Sequence, residues 1–193
     1  MNEEELQEIR IKKVLGPTQT GTAVLLGDDE KTFVMFIGIY EGAAIVRELN
    51  EEVPARPLTH ELMAAMLDGF NVEVKRVVIS DIIDNTFCAT LVLEQPCVDE
   101  AGEWNGRRNE VHIDARPSDC LVIALKSRRR LYATRAVLSQ VRDIAEDVNY
   151  SALLEGQEEP GADPKKGPFG LKGFDVTGLD DDDDPFDTFG NDE

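Results

Sequence analysis

Short apolar runs alternate with polar turns through most of the chain. Ile9, Ile11 and Val14, then Ala23–Leu26, then Thr32–Ile37 are alternating or β-branched and predict three strands. Val72, Val74 and Val77–Ile79, then Thr86–Leu93, then Val111–Ile113 predict three more. Gly27-Asp28-Asp29 and Asp84-Asn85 carry turn residues, and Asp81 is read with Asp84 as belonging to a turn. Pro96–Asn109 reads as an exposed loop, with Trp104 as a surface aromatic. A helix is marked by Thr59 as cap, Glu61 in the first turn and Gly69 at the end, with Leu62/Met66 and Met63/Leu67 forming one apolar face. A last helix is expected from Thr134 to Val148, with Val137, Leu138, Val141, Ile144, Ala145 and Val148 on its apolar side.

A weak internal repeat links the two sets of strands. Ile37–Leu49 can be laid on Ile113–Leu125, each copy a strand end, a polar turn and an apolar helix. The predicted order is βββ–α–α–βββ–α–β–α, with antiparallel strands inside each βββ unit. The expected fold class is α/β of the α+β type: a compact mixed-sheet domain over about residues 5–150, with two related βββα halves packed with helices.

Charge separates this domain from the C-terminal segment. The chain has 193 residues and a net charge of −19. Residues 155–193 hold 13 acidic and 3 basic side chains, with repeated Gly and Pro and an Asp180–Asp184 run. Low hydrophobicity there cannot offset the entropy of ordering, so 155–193 is expected to be a disordered acidic tail. Phe169, Phe174, Phe186 and Phe189 leave room for a docking motif, and the Asp run could compete with nucleic acid for a basic cleft. No apolar run reaches membrane-spanning length, and the acidic N-terminus lacks the basic start of a secretory signal, which points to a cytoplasmic protein. Cys88, Cys97 and Cys120 are odd in number and form no C-x-x-C, so neither a disulfide framework nor a zinc site is expected; Cys88 and Cys120 read as buried thiols.

The candidate chemistry sits at two predicted helix starts. In Pro54-Ala55-Arg56-Pro57-Leu58-Thr59-His60-Glu61, Arg56 could fork a phosphate, His60 could move a proton and Glu61 could act as base or metal ligand. In His112-Ile113-Asp114-Ala115-Arg116-Pro117-Ser118-Asp119, Asp114 and Asp119 could hold a hard cation or transfer protons, with Arg116 beside them for phosphate. A structural account competes at each: Thr59 capping and Glu61 favouring the dipole in the first, an Asp114–Arg116 ion pair and a Ser118/Asp119 cap in the second. Lys126-Ser127-Arg128-Arg129-Arg130 is the one basic run, and Arg128, Arg129 and Arg130 could contact a nucleic-acid backbone or complement a helix end.

Ala55-Arg56-Pro57-Leu58-Thr59-His60-Glu61-Leu62, Val77-Val78-Ile79-Ser80-Asp81, Thr86-Phe87 and Asp114-Ala115-Arg116-Pro117-Ser118-Asp119 together closely resemble the bifunctional nuclease domain. Ile37-Gly38 and Glu41-Gly42-Ala43-Ala44-Ile45 fit its pattern as well, except that Gly42 stands where that family often has Ala. The resemblance runs from about Ile9 to Val141. It implies a compact α/β fold and cleavage of DNA and RNA. Mg²⁺ or Mn²⁺ is the candidate cofactor, and a homo-oligomer, with the site shared across subunits, is a candidate assembly. The alternative is a non-catalytic regulatory domain that binds a protein or a small anion.

Overall fold

A computed structural model describes residues 5–18, 21–98, 104–144 and 174–175. Its order is β1 (Leu6–Thr18), β2 (Gly21–Gly27), β3 (Thr32–Ile37), α1 (Ile39–Leu49), α2 (Thr59–Gly69), β4 (Glu73–Ile83), β5 (Thr86–Val98), β6 (Trp104–Ala115), α3 (Pro117–Ser127), β7 (Leu131–Thr134), α4 (Arg135–Gln140) and a two-residue β8 (Phe174–Asp175). This is the predicted α+β succession, with a βββα half at each end of α2. Contacts divide the chain into two compact units. One holds residues through Glu8 and Glu51–Gln140; the other holds Ile9–Asn50 and the residues from Val141.

In the second of these units β2 lies between β1 and β3, antiparallel to both. All seven residues of β2 are buried, so Val24, Leu25 and Leu26 form a continuous apolar run rather than an alternation. Asp28 closes the turn to β3, its Oδ1 accepting from the Glu30 and Lys31 N–H groups at 3.0 and 2.8 Å. Helix α1 packs on β2 through Gly42, Ala44, Ile45 and Val46. Gly42 is the point of closest approach: a Cβ there would collide with the side chain of buried Thr22. The Gly found where Ala was expected thus lets the helix approach the sheet. Gly42→Ala should cost about 1–3 kcal/mol through overpacking, despite the better helix propensity of Ala. Adding Thr22→Ala should recover most of that loss in urea unfolding; a single variant as stable as the parent would remove this account.

In the other unit β4, β5 and β6 form an antiparallel meander, and β7 returns parallel to β4, giving the order β7-β4-β5-β6. Asp84 and Asn85, with φ of 49° and 59°, make the two-residue β4–β5 turn that the sequence marked. Asp81 is not in that turn. It lies in β4 beside a register irregularity, its Oδ1 accepting the Ile82 N–H. Helix α3 packs on β4 and β5 with Cys120, Leu121, Val122, Ile123 and Ala124 buried. The two halves superpose in sequence as Ile37 with Ala115 and Ile39 with Pro117, two residues beyond the alignment of Ile37 with Ile113.

Several expectations change. Pro96–Val98 and Trp104–Asn109 are strand, not loop, with Gln95 opposite Asn109 and Pro96 opposite Arg108. Pro96 is tolerated because β4 stops pairing with β5 at Glu94, so one side of β5 needs no donor there. Leu58, not Thr59, is the N-cap of α2, and the Glu61 carboxylate accepts the Leu58 N–H at 2.8 Å. Gly69 is the last residue of that helix, as expected, but the left-handed turn after it falls at Asn71, with φ 53°; the Val72 and Asn71 N–H groups return to the Leu67 and Asp68 carbonyls. None of the residues of α2 is buried, and Leu62, Met66 and Phe70 are more than half exposed, so its apolar face does not meet the core. Helix α4 starts where expected, with the Thr134 hydroxyl accepting the Val137 N–H, but it ends at Gln140. Beyond it, Asp143 Oδ1 accepts the Thr32 N–H and the Ile144 N–H donates to the Thr32 carbonyl, which draws these residues out of the helical ladder. Ala145 and Val148 lie outside the described residues. So does the acidic tail, apart from Phe174 and Asp175, which pair with Gly16 and Leu15 of β1.

Candidate functional site

The starts of α2 and α3 meet through charged side chains of their first turns; Pro117 is the first residue of α3, and Pro57 precedes the Leu58 cap of α2. His60 Nε2 lies 3.2 Å from Asp119 Oδ1. Arg116, the N-cap of α3, donates Nε to Asp119 Oδ2 at 2.9 Å and Nη2 to Oδ1 at 3.2 Å. One carboxylate therefore holds an imidazole and a guanidinium. Burial alone would raise the Asp119 pKa, but the Arg116 and His60 hydrogen bonds outweigh it and hold the carboxyl below its ordinary value. An ionised carboxylate only accepts, so His60 donates its Nε2–H to Asp119.

Next to His60 on α2, Glu61 meets Lys126, in the last turn of α3, at 3.2 Å. Burial opposes ionisation of Glu61, while the Leu58 N–H and Lys126 lower its pKa overall. The role of Lys126 was not read from the sequence, although it stands seven residues after Asp119, on the same side of α3. Asp114 is exposed near the end of β6, two residues before Arg116, and Arg56 is exposed on the approach to α2. Neither side chain has a hydrogen bond or ion pair to a described residue. The Asp114–Arg116 ion pair weighed in the sequence is replaced by Arg116–Asp119. Cys120, behind the site, is pushed up to about 12 by burial and by Asp119 and Asp114, and is an unreactive thiol; Cys88 is half-buried.

The donor set does not suit a cation held by protein ligands. Both Asp119 oxygens already serve Arg116 and His60. Among the described residues, no three His, Cys, Asp or Glu side chains gather as metal ligands.

Arg128, Arg129 and Arg130 follow α3 and are engaged within the chain. Arg128 has φ 51° and ends the helix, with the Arg129 N–H returning to the Ala124 carbonyl. Arg130 meets Glu8 at 3.0 Å, Arg129 meets Glu73 at 3.5 Å, and Arg128 meets Glu51 at the 4.0 Å limit. Each pair is exposed and weak, but together they offset the positive charge offered to a phosphate backbone.

A second charged group lies across β4, β5 and β6, where register sets Glu73, Glu94 and Glu110 in a row. Lys75 Nζ bridges Glu94 and Glu110 at 2.6 Å each, His112 reaches Glu110 at 2.6 Å, and buried Arg76 lies 3.8 Å from it. Hydrogen bonds from Lys75 and His112 lower the Glu110 carboxyl to about 2. A depressed carboxylate contributes stability above its unfolded pKa of about 4.3, lost as pH falls toward 2. Glu110→Gln should therefore cost about 1 kcal/mol at neutral pH, discounted for a side chain near the surface. The gap to the parent should close between about pH 4.3 and 2 in urea titrations. A gap independent of pH would remove the charge from the explanation.

Two uncharacterized Mycobacterium tuberculosis proteins, MT1877 of strain CDC 1551 and Rv1829 of strain H37Rv, are each 28% identical to this chain over 159 residues, which cover 79% of this chain and 88% of each relative. No helix among the described residues is long and apolar enough to cross a membrane. Residues 24–146, from the middle of β2 to just past α4, match the bifunctional nuclease domain, and the protein belongs to that family.

Proposed function

We propose that the protein hydrolyses phosphodiester bonds in DNA and RNA at the meeting point of α2 and α3. The observation that carries this reading is the single carboxylate, Asp119, gripping both His60 and Arg116. Arg116 and Arg56 bind the phosphate, and the free N–H groups at the two helix starts add to the attraction. His60 moves the proton of the attacking water or of the leaving oxygen, and Asp119 fixes its tautomer and orientation. Glu61, tied to Leu58 and Lys126, positions the first turn of α2. Asp114 is exposed beside this cluster and is the remaining carboxylate for proton transfer.

The paired state of Arg128–Arg130 favours a second reading, a binding domain without catalysis, because little unpaired positive charge faces a long nucleic acid. One assay separates the two. Purified full-length protein is given single-stranded DNA and RNA with Mg²⁺, with Mn²⁺ and with EDTA, beside Asp119→Asn, His60→Ala and Asp114→Ala. Cleavage that falls with the substitutions supports hydrolysis. Cleavage indifferent to all three belongs to a contaminant, and none in the parent under any condition leaves the binding domain.

A further inference from the structure

Strand β6 ends the row β7-β4-β5-β6 and, among the described residues, pairs only with β5. It is 12 residues long, and Asn105–Asp114 are exposed. An open edge of this length presents unpaired N–H and C=O groups to any other strand. The apolar layer beneath α3 also runs to this edge. Buried Leu91 and Leu93 stand opposite Ile113 and Val111, which are 40% and 45% exposed. Gln95, on the same face of β5, donates to the Phe70 carbonyl at 2.8 Å, so the exposed end of α2 borders that layer. The core thus continues outward to two β-branched residues with nothing beyond them among the described residues.

We propose that a second copy of this chain fills this edge, β6 pairing antiparallel with β6 about a two-fold axis at Val111. The charge pattern selects the occupant and the register. With Val111 on the axis, Arg108 of each copy, which also lies 3.4 Å from Glu73 and 3.7 Å from Glu94 of its own chain, stands opposite Asp114 of the other, and Glu110 stands opposite His112, while Val111 meets Val111 on the apolar face. Moving the axis to Glu110 sets Glu110 against Glu110, and moving it to His112 sets Glu110 against Asp114. Centring on Asn109 puts Val111 opposite Arg107 and leaves Asp114 without a cation. The Val111 register also gives Asp114, which has no ion pair to a described residue, the guanidinium it lacks. Asp114 lies two residues from Arg116, so the second copy adds a positive charge beside the proposed phosphate site.

Sedimentation velocity on the full-length protein, over roughly 1–100 µM, should show a monomer–dimer equilibrium. Asp114→Arg sets two arginines opposite each other and should weaken the dimer at least tenfold. Adding Arg108→Glu to that variant exchanges the two charges and should restore the affinity to within about threefold of the parent. Val111→Lys should give monomer at every concentration, with an unchanged circular dichroism spectrum. A monomeric parent, a trimer, or an Asp114→Arg dimer as tight as the parent overturns the proposal. So does failure of Arg108→Glu to rescue, since that rescue has no explanation within one chain.

Discussion

Asp119→Asn is expected to lower cleavage of both DNA and RNA by about 10²- to 10⁴-fold, the range that a positioned acid–base group contributes. The amide keeps the shape of the carboxylate but can donate, so it no longer dictates which imidazole nitrogen carries the proton. Asp119 acts through His60 and is a positioning residue, so the pH profile is the decisive readout. The variant should lose the limb that reports the imidazole and not merely scale the whole curve. Arg116→Lys keeps the charge and loses the fork, and should raise KM more than it lowers kcat. If Asp119→Asn cleaves as the parent does, the pairing of helix starts is a packing device and the acid–base roles fail.

Leu121→Ala is the substitution with the largest expected effect on stability. Leu121 is fully buried in α3, the helix that packs on β4 and β5 and carries Asp119 and Lys126. Losing its side chain should cost about 2–5 kcal/mol, with Tm falling by on the order of 10 °C. A loss below about 1 kcal/mol in urea unfolding would mean that α3 is not held as a core helix.

The strands, the helix starts and the Asp84-Asn85 turn were legible because their causes are local: alternation, β-branching, caps and left-handed φ. What sequence reading missed was set from a distance. Helix α4 ends early because Asp143 bonds to Thr32, 111 residues away. Arg130 reads as a free cation until Glu8, 122 residues away, is placed beside it. Periodicity marks an apolar face on α2 but says nothing about what covers it. The Pro96–Asn109 segment carries the proline, glycine and charges of a loop, yet Pro96–Val98 and Trp104–Asn109 are strand because they pair with each other. In the site, the two helix starts could each be named alone, but the His60–Asp119 contact joins residues 59 apart and depends on how the helices cross.

The repeated βββα halves differ where their helices begin. With Ile37 matched to Ala115, Gly38 stands where Arg116 does and Glu41 where Asp119 does. In the first half the Glu41 carboxylate folds over Gly38, so that any Cβ at position 38 would strike it. In the second half the same offset of three residues spans an arginine and its aspartate. An ancestral duplication would explain this asymmetry. The two halves share an architecture, but of the two matched positions only Arg116 carries a cation at the helix start.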